Sequence, residues 1–129
     1  MYNEKVMELF RNPKNAGVVR GANAVGKAGN LACGDIIKIY LLVDKNDVVT
    51  DASFKTFGCV SAIAASSVTC DLIKGKTLDQ ALKVTNKDVI NALGGLPAQK
   101  IHCSVLAQEA IGDAVKNYRK KVAKPVKKK

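Results

Sequence analysis

Three short segments of this 129-residue chain carry its reactive side chains: Cys33-Gly34-Asp35, Phe57-Gly58-Cys59 and Lys100-Ile101-His102-Cys103-Ser104. None is a C-x-x-C pair, and each falls at the edge of a predicted secondary-structure element. Three thiols, a carboxylate and an imidazole in such places can together hold a metal ion or cluster that the fold assembles. Thiolates are soft ligands for iron or zinc, whereas a carboxylate is harder and exchanges more readily. On an extended stretch Asp35, two residues beyond Cys33, projects to the same side as the thiol. It equally suits a turn or a strand-edge charge. Cys59 and Cys103 stand at the heads of predicted helices, whose N-termini stabilise thiolates and favour metal ligation or nucleophilic attack. Neighbours on an extended stretch point apart, so His102 is read as an alternative ligand or proton carrier, not as half of a dyad with Cys103. Cys70 follows Cys59 by 11 residues within one predicted helix, roughly 16 Å away. It is read as a buried small hydrophobe.

The elements that must position these groups are legible in pattern. Residues 3–11 form an amphipathic helix with Val6, Leu9 and Phe10 on one side, stopped at Asn12-Pro13. Residues 12–30, rich in glycine, predict a long, mobile loop, with a weakly marked third strand somewhere in 18–32. Asp35–Val43 and Val48–Phe57 read as an antiparallel hairpin about the turn Asp44-Lys45-Asn46-Asp47. Val60–Lys74 is helical, with Gly75 as its C′ residue. Thr77 and Gln80 form a capping box that opens a helix from Leu78 to about Val84. Another helix covers Lys87–Leu93, before Gly94-Gly95 and Pro97. The last begins near Ser104 and presents Ala107, Ala110, Ile111, Ala114, Val115 and Tyr118 at three- and four-residue steps. The expected class is α+β: a small antiparallel sheet of about three strands with helices packed on one face.

Length and composition point to a single domain, residues 1–121, followed by a basic, disordered tail at 122–129. Of the 21 Lys and Arg residues, eight lie at or after Lys116 and no acid follows Asp113, leaving 13 basic against 11 acidic side chains in residues 1–115. The net charge of +10 is therefore a property of the C-terminal end. With six aromatic residues in the chain and none in platform spacing, nucleic-acid binding is not expected. Neither a membrane span nor a secretory signal is legible, so the chain is read as cytoplasmic. In that compartment four cysteines speak for metal or redox chemistry over disulfides.

The same residues resemble the IscU/NifU-type scaffolds of iron–sulfur cluster assembly. The resemblance rests on Cys33-Gly34-Asp35, on Phe57-Gly58-Cys59 through Ser67, on Lys74-Gly75-Lys76-Thr77-Leu78, and on Lys100 through Ala107. The opening stretch to Asn15 is also similar, and the likeness reaches about residue 120. It implies a non-enzymatic scaffold on which a transient 2Fe-2S cluster is built and handed on. Cys33, Cys59 and Cys103 are its implied ligands, with Asp35 tuning lability and His102 a ligand in some states. Implied partners are a cysteine desulfurase and apo iron–sulfur acceptor proteins, and zinc is an implied occupant of the same residues. Many relatives carry Leu-Pro-Pro-Val-Lys for a chaperone ATPase, and here the stretch reads Leu96-Pro97-Ala98-Gln99-Lys100. The ferredoxin-like and C-terminal cluster domains of full-length NifU are not expected in this chain. Two other readings stay open: a zinc-bound persulfide acceptor working with a desulfurase, and a structural zinc domain.

Overall fold

The computed structural model describes the backbone of residues 3–30, 35–58, 60–96 and 101–128, and the side chains in those ranges except at 30, 35, 102, 103 and from 121 onward. The elements run α1 (Glu4–Arg11), β1 (Ala24–Asn30), β2 (Asp35–Val43), β3 (Val49–Phe57), α2 (Val60–Ile73), α3 (Leu78–Leu82), α4 (Asn86–Leu93) and α5 (His102–Lys128). The three strands form one antiparallel sheet in the order β1-β2-β3. The α+β expectation holds.

Alternation decides the faces. Ile37, Ile39, Leu41 and Val43 of β2 are buried beneath the helices, with Ala52 and Phe54 of β3 beside them. The intervening Ile36, Lys38 and Tyr40 project from the opposite face. The β2–β3 turn is built as its composition predicts: Asp44 Oδ1 accepts from the amides of Asn46 at 2.8 Å and Val48 at 3.0 Å. Helix α2 has no polar face to spare, with ten of its 14 residues buried. It lies between β3 and helices α1, α4 and α5.

Element bounds are refined in three places. First, the third strand expected somewhere in 18–32 is β1, which takes Ala24–Asn30 out of the stretch read as a loop and pairs along its whole length from Ala24↔Leu41 to Asn30↔Asp35. Residues 14–17 are also tied down, along the free edge of β3. Phe54 N donates to the Asn15 carbonyl at 2.9 Å, Gly17 N donates to the Phe54 carbonyl at 2.8 Å, and Ser67 Oγ donates to the Lys14 carbonyl at 2.8 Å. Second, α4 starts at Asn86 because Thr85 and Asp88 cap it reciprocally, a box with Asp in the usual place of Glu or Gln. Third, α5 starts at His102, two residues before Ser104. The helical backbone of α5 runs to Lys128. No glycine interrupts residues 116–124, and Lys and Ala there favour helix.

Helix α5 is the long brace of the molecule. It buries Ala107, Ala110, Ile111, Ala114 and Val115 and crosses β1 at Gly26. At Gly112, by contrast, an added methyl would meet nothing within 4 Å. Gly112→Ala is therefore expected to raise stability by about 0.5–1 kcal/mol, the helix-interior cost of glycine. Urea unfolding should show a higher midpoint at unchanged slope, and a lower midpoint would show that the site is not open.

Candidate metal and cluster site

The topology carries five element ends to one end of the sheet. Asp35 opens β2 opposite Asn30, the last residue of β1. One position along, Ile36 pairs with Phe57, the last residue of β3. Val60 opens α2 three residues later and α2 runs back along the sheet. Its far end returns to the start of β3, where Gly75 N donates to the Val49 carbonyl at 2.7 Å and Val49 N to the Lys76 carbonyl at 2.8 Å. Helix α5 runs opposite to β1. Asn117 Nδ2 donates to the Val25 carbonyl at 2.8 Å and the Lys27 amide donates to Asp113 Oδ2 at 2.9 Å. From Lys27 to Asn30 the strand advances about 10 Å, which about seven helix residues match. The head of α5, with His102 and Cys103, consequently lies at the Asn30–Asp35 end.

Of the five candidate ligands, the backbone places Asp35, His102 and Cys103 at this common end. Cys33 and Cys59 lie outside the described residues, although Gly58 and Val60 on either side of residue 59 belong to the same end. Of Leu96-Pro97-Ala98-Gln99-Lys100, only Leu96 is described. Among the described residues no group of three His, Cys, Asp or Glu side chains is placed to hold a metal ion. The sequence pattern sets His102 on an extended stretch, but it is the first residue of α5.

Neither α2 nor α5 has an acid in its first turn. A thiolate at either N-terminus would be stabilised by the helix dipole.

Cys70 is a different kind of cysteine. It is fully buried in α2 and free. Burial pushes its thiol from the ordinary 9.0 to about 12, against a smaller lowering by Lys74. Such a thiol is inert at neutral pH, as its reading as a small hydrophobe requires. Below about pH 9 it stays protonated in both folded and unfolded chains and contributes no pH dependence. Between about 9 and about 12 the unfolded chain loses the proton and the folded one keeps it, so stability falls as pH rises. In Cys70→Ala that alkaline loss should shrink, which urea midpoints at pH 7 and pH 10.5 would measure. An equal alkaline loss in both proteins would contradict the assignment.

No helix among the described residues is long and apolar enough to cross a membrane.

Comparison with known proteins gives the family of the chain. The family model for the NifU-like N terminal domain matches residues 1–125. The nitrogen fixation protein NifU of Azotobacter chroococcum is 55% identical over 119 residues, covering 92% of this chain and 38% of that protein. The iron-sulfur cluster assembly scaffold protein IscU of Aquifex aeolicus is 52% identical over 118 residues, covering 91% of this chain and 75% of that one. The chain thus spans about two fifths of the length of the NifU proteins it matches. Among solved structures, an iron-sulfur cluster assembly scaffold assigned to the SUF system of Fervidobacterium islandicum superposes with a TM-score of 0.72 at 26% identity, over 88% of this chain and 96% of that one. Sequence and fold agree, and the chain belongs to the NifU-like N-terminal domain family.

Proposed function

We propose that this protein is a scaffold for iron–sulfur cluster assembly. In this reading it builds a 2Fe-2S cluster from ferrous iron and persulfide sulfur delivered by a cysteine desulfurase. It then passes the cluster to apo-proteins, in the cytoplasm and without catalytic turnover of its own. The observation that carries the proposal is the gathering of Asp35, the β3–α2 junction and the His102–Cys103 helix head at one end of the sheet, in a chain of this family. Cys33, Cys59 and Cys103 are the proposed cluster ligands, with Asp35 or His102 completing the set.

The chemistry of the donor set supports release over storage. Clusters kept permanently are usually held by four thiolates. Three thiolates and a harder oxygen or nitrogen leave one corner that exchanges more readily. Zinc would find three thiolates and a carboxylate or imidazole equally suitable in a tetrahedral site, so it is the natural competitor for the same residues.

The test is anaerobic incubation with ferrous iron, cysteine, a cysteine desulfurase and dithiothreitol, in which each zero-valent sulfur reaches sulfide with one electron from a ferrous iron, which becomes ferric, and one from dithiothreitol. Visible absorption of a 2Fe-2S cluster and its passage to an apo-ferredoxin are expected. Tight zinc retention with no cluster formed would instead favour the zinc-bound persulfide acceptor.

A further inference from the structure

The sheet face turned away from the helices carries a charge pattern that folding alone disfavours. Lys27 of β1 stands opposite Lys38 of β2, and Lys38 stands opposite Lys55 of β3. Three exposed lysines thus form one row across three strands, about 10 Å from first to last at the usual strand spacing. Like charges directly opposite one another destabilise a sheet. Among the described residues no ion pair uses any of the three; the pairs found involve Arg11, Lys14, Lys74 and Arg119. Lys38 Nζ lies 5.5 Å from the centre of the Tyr40 ring, which relieves one charge in part.

The neighbouring row is apolar. Ile36 and Phe57 pair on the same face, and Phe57 is 81% exposed. A groove of about 630 Å³ joins the two rows and is bounded on its far side by Pro13, Ala16 and Gly17. The apolar row borders Asp35 and Gly58, so the surface is continuous with the proposed cluster site. A small anion would be satisfied by the lysines alone and would have no use for the exposed aromatic. An aromatic anchor beside a charged rim is the pattern of a protein interface.

We infer that this sheet face docks a folded partner protein through a carboxylate-rich patch bordered by an apolar hollow, with Lys27, Lys38 and Lys55 meeting the carboxylates and Phe57 entering the hollow. A partner seated there is held against the end of the sheet where the cluster would form. The mutual repulsion of the lysines is retained because the partner relieves it, a local rule broken at a functional site. The inference deepens the scaffold reading by giving the chemistry of the protein that approaches the site.

The probe is a purified, acidic apo-ferredoxin, labelled and titrated with the 129-residue chain at about 20 mM and about 300 mM salt, conditions that leave exposed charges weakly and strongly screened. Binding that weakens with salt is expected. It should fall at least about tenfold for Lys27→Gln/Lys38→Gln/Lys55→Gln, and also fall for Phe57→Ser. The triple variant should melt no lower than the parent, since it removes repulsion, and should still take up a cluster. Equal affinity of parent and triple variant, salt-independent binding, or no binding of the probe would each overturn the inference. So would tighter binding of a single-stranded oligonucleotide that depends on the same lysines, which would assign the face to nucleic acid. Failure of the parent to form any cluster would instead strike the scaffold reading, and the binding titration would still decide the docking surface.

Discussion

Replacing Cys33, Cys59 or Cys103 by serine is expected to abolish the visible absorption of a reconstituted 2Fe-2S cluster, by about tenfold or more for each, while the protein stays folded. Serine preserves size but substitutes a hydroxyl that does not ionise at neutral pH for a thiolate that does. Iron loses a soft ligand and gains nothing comparable. Cys70→Ala should behave in the opposite way. That thiol is buried and protonated, pushed up to about 12, so its loss should leave cluster formation intact and lower stability by about 1 kcal/mol through lost packing. The four variants separate ligand from core in one experiment: absorption after anaerobic reconstitution, with circular dichroism and urea unfolding on the same samples. A Cys70 variant that loses its cluster, or a Cys103 variant that keeps it, would break the division.

Asp35→Ala should carry the opposite sign again. If the carboxylate is the weak corner of the site, removing it should slow release of the cluster to an apo-ferredoxin. Transfer as fast as or faster than in the parent would remove Asp35 from that role.

How much of this was legible beforehand depended on whether the signal was local. The β2–β3 hairpin could be read because Asp35–Val43 alternates and Asp44–Asp47 has turn chemistry. The Thr77–Gln80 capping box could be read because both partners lie within four residues. Strand β1 could be placed only to within residues 18–32. Ala24–Asn30 contains two glycines and a single β-branched residue, so its propensity is poor, and it is a strand because β2 pairs with it and α5 lies on it. The cross-strand lysine row was hidden for the same reason, since Lys27 meets Lys38 only once β1 has a register. The candidate ligands, by contrast, stood out as residue types beside glycine or a second ligand. Their common location required the antiparallel course of α5 along β1, which no short window of sequence contains.

That course rests on one position, Gly26, and its substitution should have the largest effect on both fold and site. A Cβ built there would overlap the Ala110 carbonyl oxygen and the Ala114 amide nitrogen and lie 2.8 Å from Ala114 Cα. All three are backbone atoms of α5, so no side-chain rotation relieves the clash and the helix must lift from the strand. Overpacking usually costs about 1–3 kcal/mol, and a backbone-only contact places Gly26→Ala at the upper end or beyond. In a domain of this size that corresponds to a fall of roughly 10 °C in melting temperature. The consequence extends to the site, because the segment of α5 that crosses Gly26 fixes where its first turn, with His102 and Cys103, sits. Binding constellations tolerate displacements of only about 0.5 Å, so cluster yield should fall even at temperatures where Gly26→Ala remains folded. Gly112→Ala is the matched control, adding the same methyl to α5 where nothing opposes it, and it should lower neither stability nor yield. An unchanged urea midpoint in Gly26→Ala would mean that α5 does not approach β1 this closely. A lower midpoint with full cluster yield would mean that the helix does not position the ligands.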